Sequence, residues 1–273
     1  MDKNNIIDCI GNTPLIKINK LFKNFNSNFY VKCEFMNPGG SINDRIAKKN
    51  LNKILFNCNE DIEIVTTNQD LAISYSLIAS NLDIPITLNT QDYVPFEKSI
   101  YLEALGANII GPTFRKKKYI MDHKSNKKII DIDNISNIKN KLKDISLEIV
   151  EQFDKKIDFI FINNSMDGMV SAIGEQFRLI NPNIKIIGIQ SFLNEIPCVS
   201  DRGVADSWVK VSNSEMTDML KNTIKNEGLL IGNKSALALA GAIKYMQPFD
   251  SKKYNCIIIL PDSINFSIGS LIT

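Results

Sequence analysis

The chain has 273 residues, 44% of them hydrophobic and 23% charged, which is the composition of a globular protein with a buried core. Its 32 Lys and Arg residues against 30 Asp and Glu residues give a net charge of +2, which does not favour nucleic acid as a partner. The apolar stretches are too short to span a membrane and no secretion signal is evident, so we expect a cytoplasmic protein. The five cysteines include no CxxC pair, so neither a disulfide framework nor a metal site is expected.

Short runs of β-branched residues alternate with amphipathic segments of helix length along the chain. The predicted strands are, in order, IEIVTT, IPITLNT, ANIIGPT, KIIDID, DFIFINN, KIIGIQS and NCIIILPD. The predicted helices cover residues 44–55, 70–82, 97–105, 138–153, 168–180, 215–227 and 235–246. This alternation predicts parallel βαβ units. Because ligands of open parallel sheets bind beyond the carboxyl ends of the strands, the loops after these strands are the candidate functional segments.

Two linked motifs near the start of the chain carry a family resemblance. IGNTPLIKINK at residues 10–20 is followed by VKCEFMNPGGSINDRIA at residues 31–47, and the agreement continues in EALGANII, KIDFIFIN, KIIGIQ, EGLLIG and IIILPDS. The chain resembles the fold-type-II family of pyridoxal-phosphate (PLP) enzymes, cystathionine β-synthase more than bacterial cysteine synthase, the O-acetylserine sulfhydrylase. The resemblance implies an α/β, two-domain fold of the tryptophan synthase β-subunit type, with parallel-rich sheets flanked by helices.

The same resemblance implies a domain arrangement and an oligomeric state. Family members are homodimers in which a smaller, mobile domain closes over PLP held by a larger one. We assign residues 1–42 plus 113–273 to the larger domain and residues 43–112 to the smaller one. The haem-binding extension and the regulatory tail of some cystathionine β-synthases have no counterpart in the sequence, so haem is not expected.

The family position of the PLP lysine is occupied by Asn43. A primary amine makes the reversible imine with PLP and takes a proton from the substrate, and an amide can do neither. Lys32 and Lys234 are the candidates for a displaced amine. Neither has supporting spacing, although Lys234 is expected near the cofactor cleft.

The family's substrate loop corresponds to residues 66–70, which read Thr66, Thr67, Asn68, Gln69 and Asp70. In the family, hydroxyls and backbone amides of this loop hold the substrate carboxylate, and an asparagine at the position of Gln69 touches the PLP ring oxygen. The first two hydroxyl positions are retained, but both glycines are lost and Asp70 would oppose a carboxylate ligand. Weakened carboxylate binding is therefore predicted.

The family's glycine-rich phosphate cradle reads Ser165, Met166, Asp167, Gly168 and Met169 in this chain. Only one glycine is kept, and the carboxylate of Asp167 would lie near the phosphate position. Two like charges about 4 Å apart repel by roughly 4 kcal/mol at an effective dielectric constant of about 20. We expect Asp167 instead to be the N-cap of the helix that starts at Gly168.

Other positions of the expected cleft are partly kept. Ser263 in LPDS stands where the family places a serine on the PLP pyridine nitrogen. Asn233 and Lys234 replace small residues, so that a long ammonium side chain enters the cleft. The loop before Ile196 is shorter than in the family and lacks a Gly-Ile-Gly segment that lines the active-site entrance.

Three functional hypotheses follow. The first is a catalytically inactive scaffold or regulatory protein without bound cofactor, a dimer that receives a peptide, protein partner or small metabolite in the ancestral cleft. The second is an active PLP-dependent β-replacement lyase of sulfur amino-acid metabolism, which makes cystathionine or cysteine from serine or O-acetylserine. In the third, the chain stabilises an active paralogue as a heterodimer. Simultaneous loss of the lysine, the loop and the cradle favours the first hypothesis over the second.

Overall fold

The computed structural model describes residues 3–58, 60–113, 127–133, 139–164, 166, 168–192, 197–249 and 251–266. The chain forms two compact units. The first unit comprises Met1–Ile10 and Asn43–Asn137, and the second unit comprises Gly11–Ile42 and Ile138–Thr273. None of the helices in the described ranges has the length and apolarity of a membrane span.

Ten strands and eight α-helices lie in the described part of the chain. The strands are β1 (Leu15–Ile18), β2 (Asn28–Cys33), β3 (Ile62–Thr66), β4 (Ile86–Asn89), β5 (Asn108–Ile110), β6 (Lys128–Asp131), β7 (Phe159–Asn163), β8 (Lys185–Ser191), β9 (Ser207–Val211) and β10 (Asn255–Leu260). The helices are α1 (Asn43–Asn57), α2 (Gln69–Asn81), α3 (Phe96–Ala104), α4 (Lys139–Gln152), α5 (Met169–Ile180), α6 (Val199–Val204), α7 (Asn213–Glu227) and α8 (Asn233–Met246).

The first unit is built on a four-stranded parallel sheet in the order β5-β4-β3-β6. In β3, buried and half-buried residues alternate, as expected for a strand whose two faces differ in burial. Lys128–Asp131 pairs with Ile62–Thr66 in this sheet, so the unit extends beyond the boundary predicted at residue 112. The first residues also belong to it, because the Lys48 ammonium donates to the carbonyl oxygen of Ile7 (2.9 Å).

The second unit contains a six-stranded sheet in the order β1-β2-β10-β7-β8-β9, in which only the β1–β2 pair is antiparallel. All five residues of β7 are buried, and so are the last five residues of β10. Continuous apolar strands of this kind are typical of parallel sheets that are covered on both faces. Strands β7 and β10 therefore lie at the centre of the sheet, within the core of this unit, and their carboxyl ends point to the same end of the sheet.

The predicted fold class is confirmed. All seven predicted strands are present, and each predicted helix begins and ends within two residues of the observed bounds. A strand at Lys32, before the GGSIN motif, was also expected and is β2, whereas strands β1 and β9 and the short helix α6 were not predicted. In β2, whose sequence is NFYVKC, the last three residues are all buried, Lys32 among them. Buried and exposed positions therefore do not alternate along the strand.

The pairing of β8 with β9 places Gly188 opposite Trp208. A Cβ atom at Gly188 would lie 2.4 Å from the Trp208 ring, which is closer than side chains pack. The glycine is therefore required by the tryptophan on the neighbouring strand, and the Trp208 side chain packs against the backbone of β8.

We expect Gly188→Ala to lower the free energy of unfolding by about 1–3 kcal/mol, because the added methyl overpacks the site. Gly203→Ala is the matched control, since no described atom lies within 4 Å of the new Cβ atom in helix α6. Its unfolding free energy should stay unchanged or rise by up to about 1 kcal/mol. Urea unfolding followed by circular dichroism measures both, and equal effects of the two substitutions would contradict this packing.

Candidate functional site

Asn43 is the first residue of α1 in the first unit, and its side chain is buried, with 5% of its surface exposed. The next residue, Asp44, is fully buried and accepts a hydrogen bond from the hydroxyl of Ser74 on α2 (2.6 Å). This contact joins the start of α1 to α2. An amide at position 43 can donate and accept hydrogen bonds, but it offers no amine for covalent chemistry.

Thr66 at the end of β3 and Thr67 directly after it donate three hydrogen bonds to one carboxylate, that of Asp133. The Thr66 hydroxyl donates to Oδ1 (2.5 Å), and the Thr67 hydroxyl and backbone N–H both donate to Oδ2 (2.6 Å). Partial burial raises the pKa of Asp133, but the hydrogen bonds from Thr66 and Thr67 outweigh it and hold this pKa below its ordinary value. The two hydroxyls noted in the sequence are therefore engaged by a residue of the same unit.

The other polar side chains of this loop also have partners within the first unit. The Asn68 side chain caps α2 by accepting from the backbone N–H of Asp70 (3.0 Å). The Gln69 amide donates to the carbonyl oxygen of Tyr93 (3.2 Å). Asp70 pairs with the Lys98 ammonium (2.6 Å), so its charge is neutralised locally. The polar side chains of residues 66–70 are thus hydrogen-bonded within their own unit.

In the second unit, the start of α5 is capped by the carboxylate of a residue that is remote in sequence, Asp201. Gly168 is the N-cap residue, with φ at 83°. Its backbone N–H donates to Asp201 Oδ2 (2.9 Å), and the backbone N–H of Ser171 donates to Asp201 Oδ1 (2.7 Å). The Asp201 side chain is fully buried on α6. An N-cap role predicted for Asp167 is therefore filled by Gly168 and the Asp201 carboxylate, while Asp167 and Ser165 themselves lie outside the described residues.

A second carboxylate, which is partly buried, caps α8. Asp262 accepts hydrogen bonds from the backbone N–H groups of Ser235 (2.7 Å) and Lys234 (3.2 Å), and from the Ser235 hydroxyl (2.7 Å). Burial raises the pKa of Asp262, and the nearby Lys234 charge and the Ser235 hydrogen bonds offset only part of this rise. A Cβ atom at Gly232 would lie 2.4 Å from Asp262, so this close approach requires glycine.

Ser263 follows directly and is 6% exposed. Its backbone N–H donates to the carbonyl oxygen of Gly40 (3.0 Å), and its hydroxyl oxygen accepts from the backbone N–H of Asn265 (3.3 Å). The hydroxyl retained in the sequence is present at the carboxyl end of β10. Lys234 lies in the first turn of α8, and its carbonyl oxygen accepts from the Asn163 side chain at the end of β7 (2.7 Å).

Lys32 is a structural residue. Its side chain is fully buried in the second unit. Its ammonium contacts Glu148 (2.7 Å), the carbonyl oxygen of Thr13 (2.7 Å) and Gln152 (3.0 Å). To react with an aldehyde, the amine would have to lose its proton and break all three contacts at a buried position, which is costly.

The two α/β units have parallel-rich sheets with loops beyond the carboxyl ends of the strands, and this architecture defines a class of protein that the sequence comparisons name. A family model described as pyridoxal-phosphate dependent enzyme matches residues 6–202. The chain belongs to the pyridoxal-phosphate dependent enzyme family.

Curated relatives include cystathionine β-synthases and cysteine synthases. The cystathionine β-synthase of Apis mellifera is 33% identical over 95% of this chain and 59% of the relative, and that of Mus musculus is 30% identical over 95% and 53%. Cysteine synthase B of Campylobacter jejuni is 24% identical over 91% of this chain and 92% of the relative. The chain thus spans little more than half the length of the cystathionine β-synthases that it matches.

Solved structures share the fold. A hydrogen sulfide-producing enzyme from Fusobacterium nucleatum aligns with a TM-score of 0.85 and 23% identity, over 96% of this chain and 97% of that enzyme. O-Acetylserine sulfhydrylase isoform 3 of Entamoeba histolytica aligns with a TM-score of 0.83 and 19% identity, over 96% and 89%. At these identities the likeness establishes the fold, and the predicted fold-type-II architecture is confirmed.

We expect Asp201→Ala to lower the free energy of unfolding by about 1–3 kcal/mol, because the backbone N–H groups of Gly168 and Ser171 lose a buried acceptor. Asp218→Ala removes an exposed carboxylate on α7 and should change the free energy of unfolding by no more than about 0.5 kcal/mol. Urea unfolding measures both variants. If Asp201→Ala were as stable as the Asp218 variant, the capping role of Asp201 would be wrong.

Proposed function

We propose that this chain is a catalytically inactive member of its family, related to cystathionine β-synthase and cysteine synthase, that acts as a scaffold or regulatory binding protein. The observation that carries the proposal is Asn43 at the start of α1, where the resemblance places the PLP lysine. PLP enzymes of this kind depend on an amine that forms an imine with the cofactor and moves the substrate proton. The amide of Asn43 does neither.

The start of α5 supports the proposal, because the donors there do not fit the phosphate of PLP. The backbone N–H groups of Gly168 and Ser171 donate to Asp201, and that of Met169 donates to the carbonyl oxygen of Met166 (3.1 Å). A phosphate at this helix start would compete with the Asp201 carboxylate for these donors. It would also meet like-charge repulsion of roughly 4 kcal/mol per pair of unit charges at about 4 Å and a dielectric constant of about 20.

The rival hypothesis of an active lyase needs an amine elsewhere. Lys32 is buried on three acceptors, which leaves Lys234 as the candidate. The retained hydroxyl of Ser263 favours residual PLP binding, but one hydroxyl group does not replace the lysine and the phosphate donors. We therefore place the lyase, which would make cystathionine or cysteine, second.

We propose that the protein acts as a homodimer. The alternative is a heterodimer with an active paralogue. The role that we propose is to bind a peptide or protein partner in the cytosol, in the setting of sulfur amino-acid metabolism. Support comes from the family membership and from the kept fold. The small-domain mobility predicted from the resemblance stays a prediction.

The decisive experiment is an absorption spectrum of the purified protein with added PLP, followed by borohydride reduction and intact-mass analysis. We expect no absorption band beyond that of free PLP and no covalent PLP adduct, because position 43 carries an amide. The Campylobacter jejuni cysteine synthase B, treated in parallel, is the positive control. A stoichiometric adduct on Lys234, or on any other single lysine, would overturn the proposal and identify the replacement amine.

A further inference from the structure

The carboxylate of Asp133 accepts hydrogen bonds from Thr66 and Thr67, at the end of β3 and directly after it. We propose that Asp133 is a built-in carboxylate ligand of the Thr66–Thr67 loop, and that it excludes small carboxylates, amino acids included, from this loop. This exclusion is tested separately from the PLP experiment, because that experiment reports on a lysine amine and not on the Asp133 contact.

The contact has the bond set that a free carboxylate would need. Both oxygens of Asp133 are used: Oδ1 takes the Thr66 hydroxyl, while Oδ2 takes the hydroxyl and the backbone N–H of Thr67. All three distances, 2.5, 2.6 and 2.6 Å, are at the short end of the range for hydrogen bonds to an ionised acceptor. A small-molecule carboxylate would have to displace Asp133 to reach these donors.

Strand pairing holds Asp133 in this position. In the parallel β3–β6 pair, Asp131 lies opposite Val65, and the backbone N–H of Ile132 donates to the carbonyl oxygen of Val65 (3.1 Å). The Ile132 side chain is buried, with 2% exposed, and the Asp133 N–H donates to the Asp131 side chain (3.0 Å). A ligand fixed in this way acts at a high effective concentration, on the order of millimolar or above, so a weak free carboxylate does not compete.

The charge of Asp133 persists at neutral pH. Hydrogen bonds from Thr66 and Thr67 hold the pKa of this carboxyl below its ordinary value, against the opposing effect of partial burial. A lowered folded-state pKa means that the contact stabilises the unit above the pKa of the unfolded chain. This stabilisation is lost as the pH falls through the folded-state pKa of Asp133. The loop is therefore closed to carboxylates across the physiological range.

Chemical rescue of Asp133→Ala tests the proposal in the full chain. The variant should unfold at a lower temperature than wild type, and sodium acetate, compared with sodium chloride at equal ionic strength, should raise that temperature in a saturable manner. L-Serine is the second probe and should act in the same way. In wild type, and in the exposed-carboxylate control Asp92→Ala, acetate and chloride should be equivalent.

The specificity of the rescue is checked with Thr67→Val combined with Asp133→Ala. Loss of the Thr67 hydroxyl removes one of three donors, so the acetate effect should fall by about tenfold in affinity, the ratio that corresponds to about 1.4 kcal/mol for one hydrogen bond. A rescue that persists unchanged in this double variant, or that is equal in wild type, overturns the proposal. So does an Asp133→Ala variant with wild-type stability.

If Asp133→Ala does not fold, the wild-type protein provides the test. Carbon-13 NMR of the side-chain carboxyl groups follows the titration of Asp133 directly, with its signal assigned by the Asp133→Asn variant. We expect a pKa below the ordinary value of an Asp side chain, about 3.9 in model peptides. A value equal to or above this ordinary one would mean that the three donors do not hold the ionised form, and the proposal would be wrong.

Discussion

Loops that follow parallel strands carry backbone N–H groups and hydroxyls that need acceptors, and the first turn of a helix has N–H groups without partners in the helix itself. In this chain three carboxylates supply the acceptors. Asp133 serves the loop after β3, Asp201 serves the start of α5, and Asp262 serves the start of α8. The backbone N–H groups of Thr67, Gly168 and Ser235 therefore have acceptors within the protein itself and need no bound anion.

The fold of the second unit depends on buried apolar strands and not on the residues that PLP chemistry needs. The continuous apolar strands β7 and β10 form the centre of the second unit. The ion pair of Lys32 with Glu148 is buried in the same unit. None of these interactions involves the amine that PLP chemistry needs, so Asn43 could replace it without loss of the fold. We propose that what the chain lacks is the amine for covalent reactivity.

Local patterns predicted most of the architecture, and long-range partners could not be predicted. The apolar periodicity of each strand and helix can be read from its own segment. The amide at position 43 can likewise be read from the motif around it. The acceptors at the loops are remote in sequence: Asp201 is 33 residues from Gly168, and Asp133 is 67 residues from Thr66. No spacing rule links such residues. The burial of Lys32 was missed for the same reason, since its partner Glu148 is 116 residues away.

The most direct test of the central claim is a crystal structure of the protein grown with millimolar PLP and L-serine. We expect the Asp201 carboxylate to remain on the backbone N–H groups of Gly168 and Ser171, the Asp133 carboxylate to remain on Thr66 and Thr67, and no PLP to be covalently attached. Electron density for a phosphate at the start of α5, with Asp201 displaced from Gly168, would contradict the account, as would a serine carboxylate on the Thr66 and Thr67 hydroxyls.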